Sequence, residues 1–157
     1  MRKMLLMLAL LISSELVLAQ QEMIELARQD IRAGRMGMIA ASMNLSPAQQ
    51  EKFWPIYRDY ADEQEKLLDQ RITMLQEFAG NYEQMTEATA ISIAEQSFQI
   101  QRARTERRER YFKRMSTALG PVMAARFIQV DSQLATLMDF EMMKNTPLIQ
   151  PAAPTAQ

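Results

Sequence analysis

Apolar residues recur at three- and four-residue spacings through most of this chain, and no alternating apolar/polar stretch is long enough to propose a strand. The pattern predicts an all-α fold of four helices. The first runs from about Glu22 to Met43, with Met23, Ile24, Ala27, Ile31, Met38, Ile39 and Met43 on its apolar stripe and Gly34 and Gly37 weakening its middle. The second carries Ile56, Tyr57, Tyr60, Leu67, Leu68, Leu75 and Phe78. The third ends near Ala118, and the fourth contains Val122, Phe127, Ile128, Leu134, Leu137 and Met138.

Local chemistry marks the helix boundaries. In Leu45-Ser46-Pro47-Ala48-Gln49, Ser46 suits the N-cap, Pro47 the first helical position, and Gln49 completes a capping box. Pro55 lies too deep in the same helix for a first-turn proline, which predicts a kink or short break near Phe53 and Trp54. Gly80 and Asn81 interrupt the pattern, and Thr86 with Glu87 offers a new start, so the chain is expected to turn between about Ala79 and Thr86. A connection that short makes the flanking helices an antiparallel hairpin. Gly120-Pro121 separates the third helix from the fourth. From Asn145 onward Pro147, Pro151 and Pro154 predict a disordered Pro/Ala-rich tail over 145–157, leaving 20–144 as the helical domain.

The N-terminus has the layout of a cleavable export signal: Arg2 and Lys3, an apolar run from Met4 to Ile12, then a polar stretch closing on Val17-Leu18-Ala19-Gln20. Ser13, Ser14 and Glu15 break the run well short of the roughly 20 apolar residues that a spanning helix needs. Residues 1–19 are read as a signal peptide cleaved after Ala19, which places the body outside the cytoplasm. The alternative is an uncleaved N-terminal membrane anchor, the one route by which a membrane would be a partner.

Composition narrows the function. The 157 residues include no cysteine and no histidine. Disulfides, thiolate metal sites and thiol nucleophiles are thereby excluded, along with the commonest general base and metal ligand. No convincing pair of catalytic carboxylates stands out, so neither enzyme, cofactor nor metal site is expected. The full chain has 18 Lys and Arg against 19 Asp and Glu. Losing Arg2, Lys3 and Glu15 with the signal leaves 16 against 18, which does not suit a nucleic-acid partner. Of 14 methionines, Met1, Met4 and Met7 would leave with the signal. Helical spacing assigns most of the remaining 11 to the core, although flexible thioethers also suit adaptable binding surfaces.

Charge is unevenly placed. From Arg102 to Arg114, seven basic residues (Arg102, Arg104, Arg107, Arg108, Arg110, Lys113, Arg114) face only Glu106 and Glu109, while Glu51 to Glu95 holds ten acids against four bases. With a turn near residue 83 and a rise of about 1.5 Å per residue on both arms, Arg102 to Arg110 lies alongside roughly Asp59 to Glu65. Two readings follow. Either the basic run pairs with the acidic arm or forms a solvated face, or part of it joins Tyr111, Phe112 and Met115 in a cationic and apolar surface for other proteins.

An exported helical body with the Leu45-Ser46-Pro47-Ala48-Gln49 start resembles the Spy/CpxP family of periplasmic proteins, whose hallmark is a repeated Leu-Thr-x-x-Gln motif. Leu45, Ser46 and Gln49 match the first copy, with serine keeping the capping hydroxyl. At the expected second copy the chain reads Leu119-Gly120-Pro121-Val122-Met123. The resemblance implies a periplasmic location and a hairpin-based subunit that forms a homodimer shaped as a curved cradle. It implies either ATP-independent binding of unfolding envelope proteins or restraint of an envelope-stress sensor kinase. A membrane-anchored structural envelope protein is the third reading. Zinc binding through His-rich segments, known in some relatives, does not carry over to a chain without histidine.

Overall fold

The computed structural model describes residues 25, 26, 28–144 and 146–149. The expected signal segment, its cleavage position and most of the Pro/Ala tail lie outside these residues. The chain forms two compact units, Met1–Ser42 and Met43–Gln157. The first contributes most of helix α1, which spans 28–43 with residues 25 and 26 also helical. Asn44 ends it at φ 46°, in the left-handed region that a short polar side chain tolerates.

The second unit holds α2 (Pro47–Asn81), a 3₁₀ turn (Tyr82–Gln84), α3 (Glu87–Leu119) and α4 (Pro121–Met143). The fold is all-α, and no strand occurs among the described residues. The starts follow the cap chemistry. The Gln49 N–H donates to Ser46 Oγ at 3.4 Å, and the Ser46 N–H donates to Gln49 Oε1 at 2.9 Å, closing the capping box. Thr86 caps α3 by accepting from the Thr89 N–H at 3.1 Å.

α4 starts differently. Gly120 takes φ 89° and ψ 155°, a conformation close to exclusive to glycine, and the following proline favours that extended ψ. No side chain caps α4, and the Gly120 N–H instead closes α3 on the Ser116 carbonyl.

Of the kink or short break expected near Phe53 and Trp54, the break does not occur: α2 is continuous through Pro55. Proline removes one intrahelical bond, to the Glu51 carbonyl, but both Pro55 and Glu51 lie on the exposed side, where water can serve that acceptor. On the other side Phe53 and Tyr57 are buried and hold the helix to its neighbours.

α2 and α3 form the expected antiparallel hairpin. Glu77 pairs with Gln96, Glu63 with Arg110 and Asp59 with Arg114, and all three pairs share one midpoint, between Thr86 and Glu87. The register therefore centres about three residues beyond the expected turn, because the 3₁₀ turn and Met85 are spent before α3 begins.

Core positions on α2 alternate spacings of four and three (Phe53, Tyr57, Tyr60, Gln64, Leu67, Arg71, Met74, Phe78). On α3 the series is Ile93, Ser97, Ile100, Arg104, Arg107 and Tyr111. This is the seam of a coiled-coil-like pair. α4 lies along the C-terminal half of α3 and brings Ala124, Phe127, Asp131 and Ala135 inward.

The densest packing is aromatic. Phe127 of α4 meets Phe53 and Tyr60 of α2 edge-on at 5.7 and 5.1 Å, and Tyr60 meets Tyr111 of α3 at 5.2 Å. The core expectation for methionine needs correcting: in this unit only Met43 and Met115 are buried, whereas Met74, Met138 and Met142 are half-exposed and Met143 is exposed.

Candidate functional site

Above the aromatic cluster, the seam turns polar. Asp131 is 0 % exposed and accepts from Tyr60 Oη at 2.6 Å and from Arg108 Nε at 2.9 Å. Tyr60 in turn accepts from Arg107 Nη2 at 3.2 Å, and Arg107 also donates to Gln64 Oε1. The Arg107 guanidinium stands 4.5 Å over the Tyr60 ring. Burial first, then the nearby Asp131 carboxylate, pushes the Tyr60 phenol up to about 12. Burial lowers the proton affinity of Arg108, but its bond to Asp131 more than restores it, so its net shift is upward.

Two turns further along α4, Asp139 draws together the other two helices, accepting from Arg71 of α2 and, at 2.8 Å, from Arg104 of α3. Partial burial alone would raise this carboxyl. The two arginine bonds outweigh it and hold Asp139 below the ordinary carboxylate range.

Asp139 lies on the wall of a groove of about 500 Å³ between α2, α3 and the end of α4. Its apolar lining includes Leu67, Leu68, Leu75, Ile100, Met138 and Met142, with Ala135 at its base. The groove exists because polar residues replace apolar knobs at seam positions 64, 71, 104 and 107, and because Ala135 is too small to fill the layer. Nothing in the sequence pattern marked it. Its apolar residues sit at core spacing, and only the seam register shows that polar ones share that face.

The basic run is dispersed by the fold. Arg110 and Arg114 pair with Glu63 and Asp59 across the hairpin, while Arg104 and Arg108 turn instead to Asp139 and Asp131 of α4. Arg107, Tyr111 and Met115 are core residues, at 1, 2 and 0 % exposure, so they do not form the surface that one reading gave them. Tyr111 donates to Glu63 at 2.9 Å, and burial, reinforced by this bond, pushes its phenol up to about 12. Arg102 is exposed and Phe112 half-exposed, so both of these proposed surface residues remain accessible. Leu45, Ser46, Pro47 and Gln49 lie at the start of α2 and do not line this groove.

Among the described residues, no three acidic side chains converge to hold a metal ion, and no helix is long and apolar enough to cross a membrane. What the surface offers is apolar contact. Leu137, Phe140 and Met143 stand in a row on α4 at 58, 63 and 63 % exposure, beside the groove, and Ile91 and Phe98 lie one heptad apart on α3 at 59 and 57 %. Comparison with protein-family models, curated proteins and solved structures found no match.

Proposed function

We propose that this chain is an exported, ATP-independent, chaperone-like protein that holds unfolding envelope proteins and works as a homodimer. The observation that carries this reading is the exposed row Leu137, Phe140 and Met143, with Ile91 and Phe98 on α3. Contiguous exposed apolar side chains mark contact surfaces, and a phenylalanine with a flexible thioether at its side adapts to varied partners. The signal-like N-terminus and the resemblance of the Leu45–Gln49 start to the Spy/CpxP family support the same role.

The test is suppression of aggregation, without nucleotide, of several unrelated denatured proteins by the purified mature chain at near-stoichiometric ratio. Suppression of most of them is expected, with the double variant Leu137→Ser, Phe140→Ser losing at least half of the effect while melting within a few degrees of the parent. Inability to protect any of them rejects the reading. Sedimentation velocity reads the dimer, and the intact mass of the exported chain reads cleavage after Ala19.

A further inference from the structure

The lining of the groove carries an excess of positive charge. Its charged lining is Arg71, Arg104, Arg107 and Asp139, three cations against one anion. Arg71 and Arg104 share the single carboxylate of Asp139. No carboxylate bonds Arg107 directly: its Nη2 is bound by the neutral oxygens of Tyr60 and Gln64, its buried Nε and Nη1 have no hydrogen-bond acceptor, and Asp131, one hydrogen bond further on through Tyr60 Oη, is already bound by Arg108. A guanidinium is a permanent cation, and one left in a low-dielectric wall without a directly bonded counterion attracts an anion.

The rest of the lining is mainly aliphatic and thioether, interspersed with the uncharged polar side chains Gln64, Ser97, Gln101, Thr105 and Thr146, and the volume falls in the range of small-molecule sites. One end of the groove is thus cationic, with unmet Arg107 donors buried in its wall, and the remainder is a largely apolar trough. From this juxtaposition we infer that the groove binds a single-chain amphipathic carboxylate, a fatty acid anion of about twelve carbons. Its head lies among Arg71, Arg104 and Arg107, and its acyl chain runs over Leu68, Leu75 and Met142. The inference stands apart from client holding, which uses Leu137 and Phe140 on α4; of that exposed row only Met143 also lines the groove.

Asp139 sets the affinity. Its carboxylate competes with the ligand head for Arg71 and Arg104, so Asp139→Asn strengthens ligand binding while weakening the fold. A purely structural role would move only stability.

The test is calorimetric titration of the delipidated full-length mature protein with laurate below its micelle concentration, alongside methyl laurate and acetate. Laurate is expected to bind one per chain, with methyl laurate and acetate each at least tenfold weaker. Asp139→Asn is expected to bind laurate at least threefold tighter despite a lower Tm, Arg104→Gln at least fivefold weaker, and Arg114→Ala, outside the groove, unchanged. Absence of saturable laurate binding overturns the proposal. Equal affinity for methyl laurate also overturns it and reassigns the groove to an uncharged apolar occupant such as an unfolded segment. A shift in Tm for Asp139→Asn with no change in laurate affinity removes the arginine-bound head from the proposal and overturns it in that form.

Discussion

Asp131 is fully buried and takes hydrogen bonds from Tyr60 and Arg108, so truncating it strands a buried phenol and a guanidinium together. Breaking a buried pair from one side costs about 3–5 kcal/mol, and Asp131→Ala is expected to fall in that range on urea denaturation. Arg114, half-exposed and paired with an equally exposed Asp59, sets the contrast. Arg114→Ala is expected to cost under about 1 kcal/mol, because water and salt screen such a pair. Gly120 makes a third case. A methyl group there would meet no atom within 4 Å, yet φ 89° is hostile to any side chain. Gly120→Ala is therefore expected to lose about 1–3 kcal/mol through the backbone alone, with no change in the packing around it.

Among the elements, α2 carries an unused reserve of stability. Pro55 interrupts its bond ladder on the exposed side while Phe53 and Tyr57 hold the buried side. Pro55→Ala restores one backbone bond and removes no core contact. Interior proline costs about 3 kcal/mol and returns up to about 1 by stiffening the unfolded chain, so a net gain of about 1–2 kcal/mol is expected by thermal melting.

The helix starts are legible along the chain, whereas the continuity of α2 through Pro55 is not. Ser46, Gln49, Thr86 and the Gly120-Pro121 pair act through neighbours within four residues, so their roles are written locally. Whether a helix survives a proline depends on which face is buried, and that is decided by other helices. The arginines divide in the same way. Arg110 and Arg114 find acids on the adjoining arm, which counting along a hairpin anticipates. Arg104 and Arg108 go to Asp139 and Asp131, acids of a third helix outside that count. The available signal was the pair itself: two aspartates eight residues apart on a helix with few other charges.

For the whole molecule, the charged network defines a window of pH. Asp139 titrates lower in the fold than in the unfolded chain, so its contribution is complete above about pH 4 and fades as pH falls through its depressed folded value. Tyr60 and Tyr111 titrate higher in the fold, so the stability they confer is complete below about pH 10 and is lost as pH rises toward about 12. Denaturation midpoints measured from pH 2 to 12 are expected to be flat between these edges. In Tyr111→Phe the alkaline loss shrinks, since a phenyl ring has no proton to release.

The unequal reach of the helices has a further consequence. At 23 residues α4 extends about 34 Å, while α2 and α3, at 35 and 33, extend about 50 Å. Within the unit from Met43 onward, the hairpin beyond the level of Ser97 and Leu75 is two helices thick, joined by Phe78, Ile93 and the Gln96 bond to Glu77. Opening free energy then declines along the hairpin, from an anchored end at the aromatic cluster to a yielding end at Met85. Native-state hydrogen exchange is expected to read this as a gradient, with amides near Tyr60 and Tyr111 exchanging only through global unfolding. Those from about Phe78 to Ile93 exchange through a smaller local opening that leaves the rest of the unit intact.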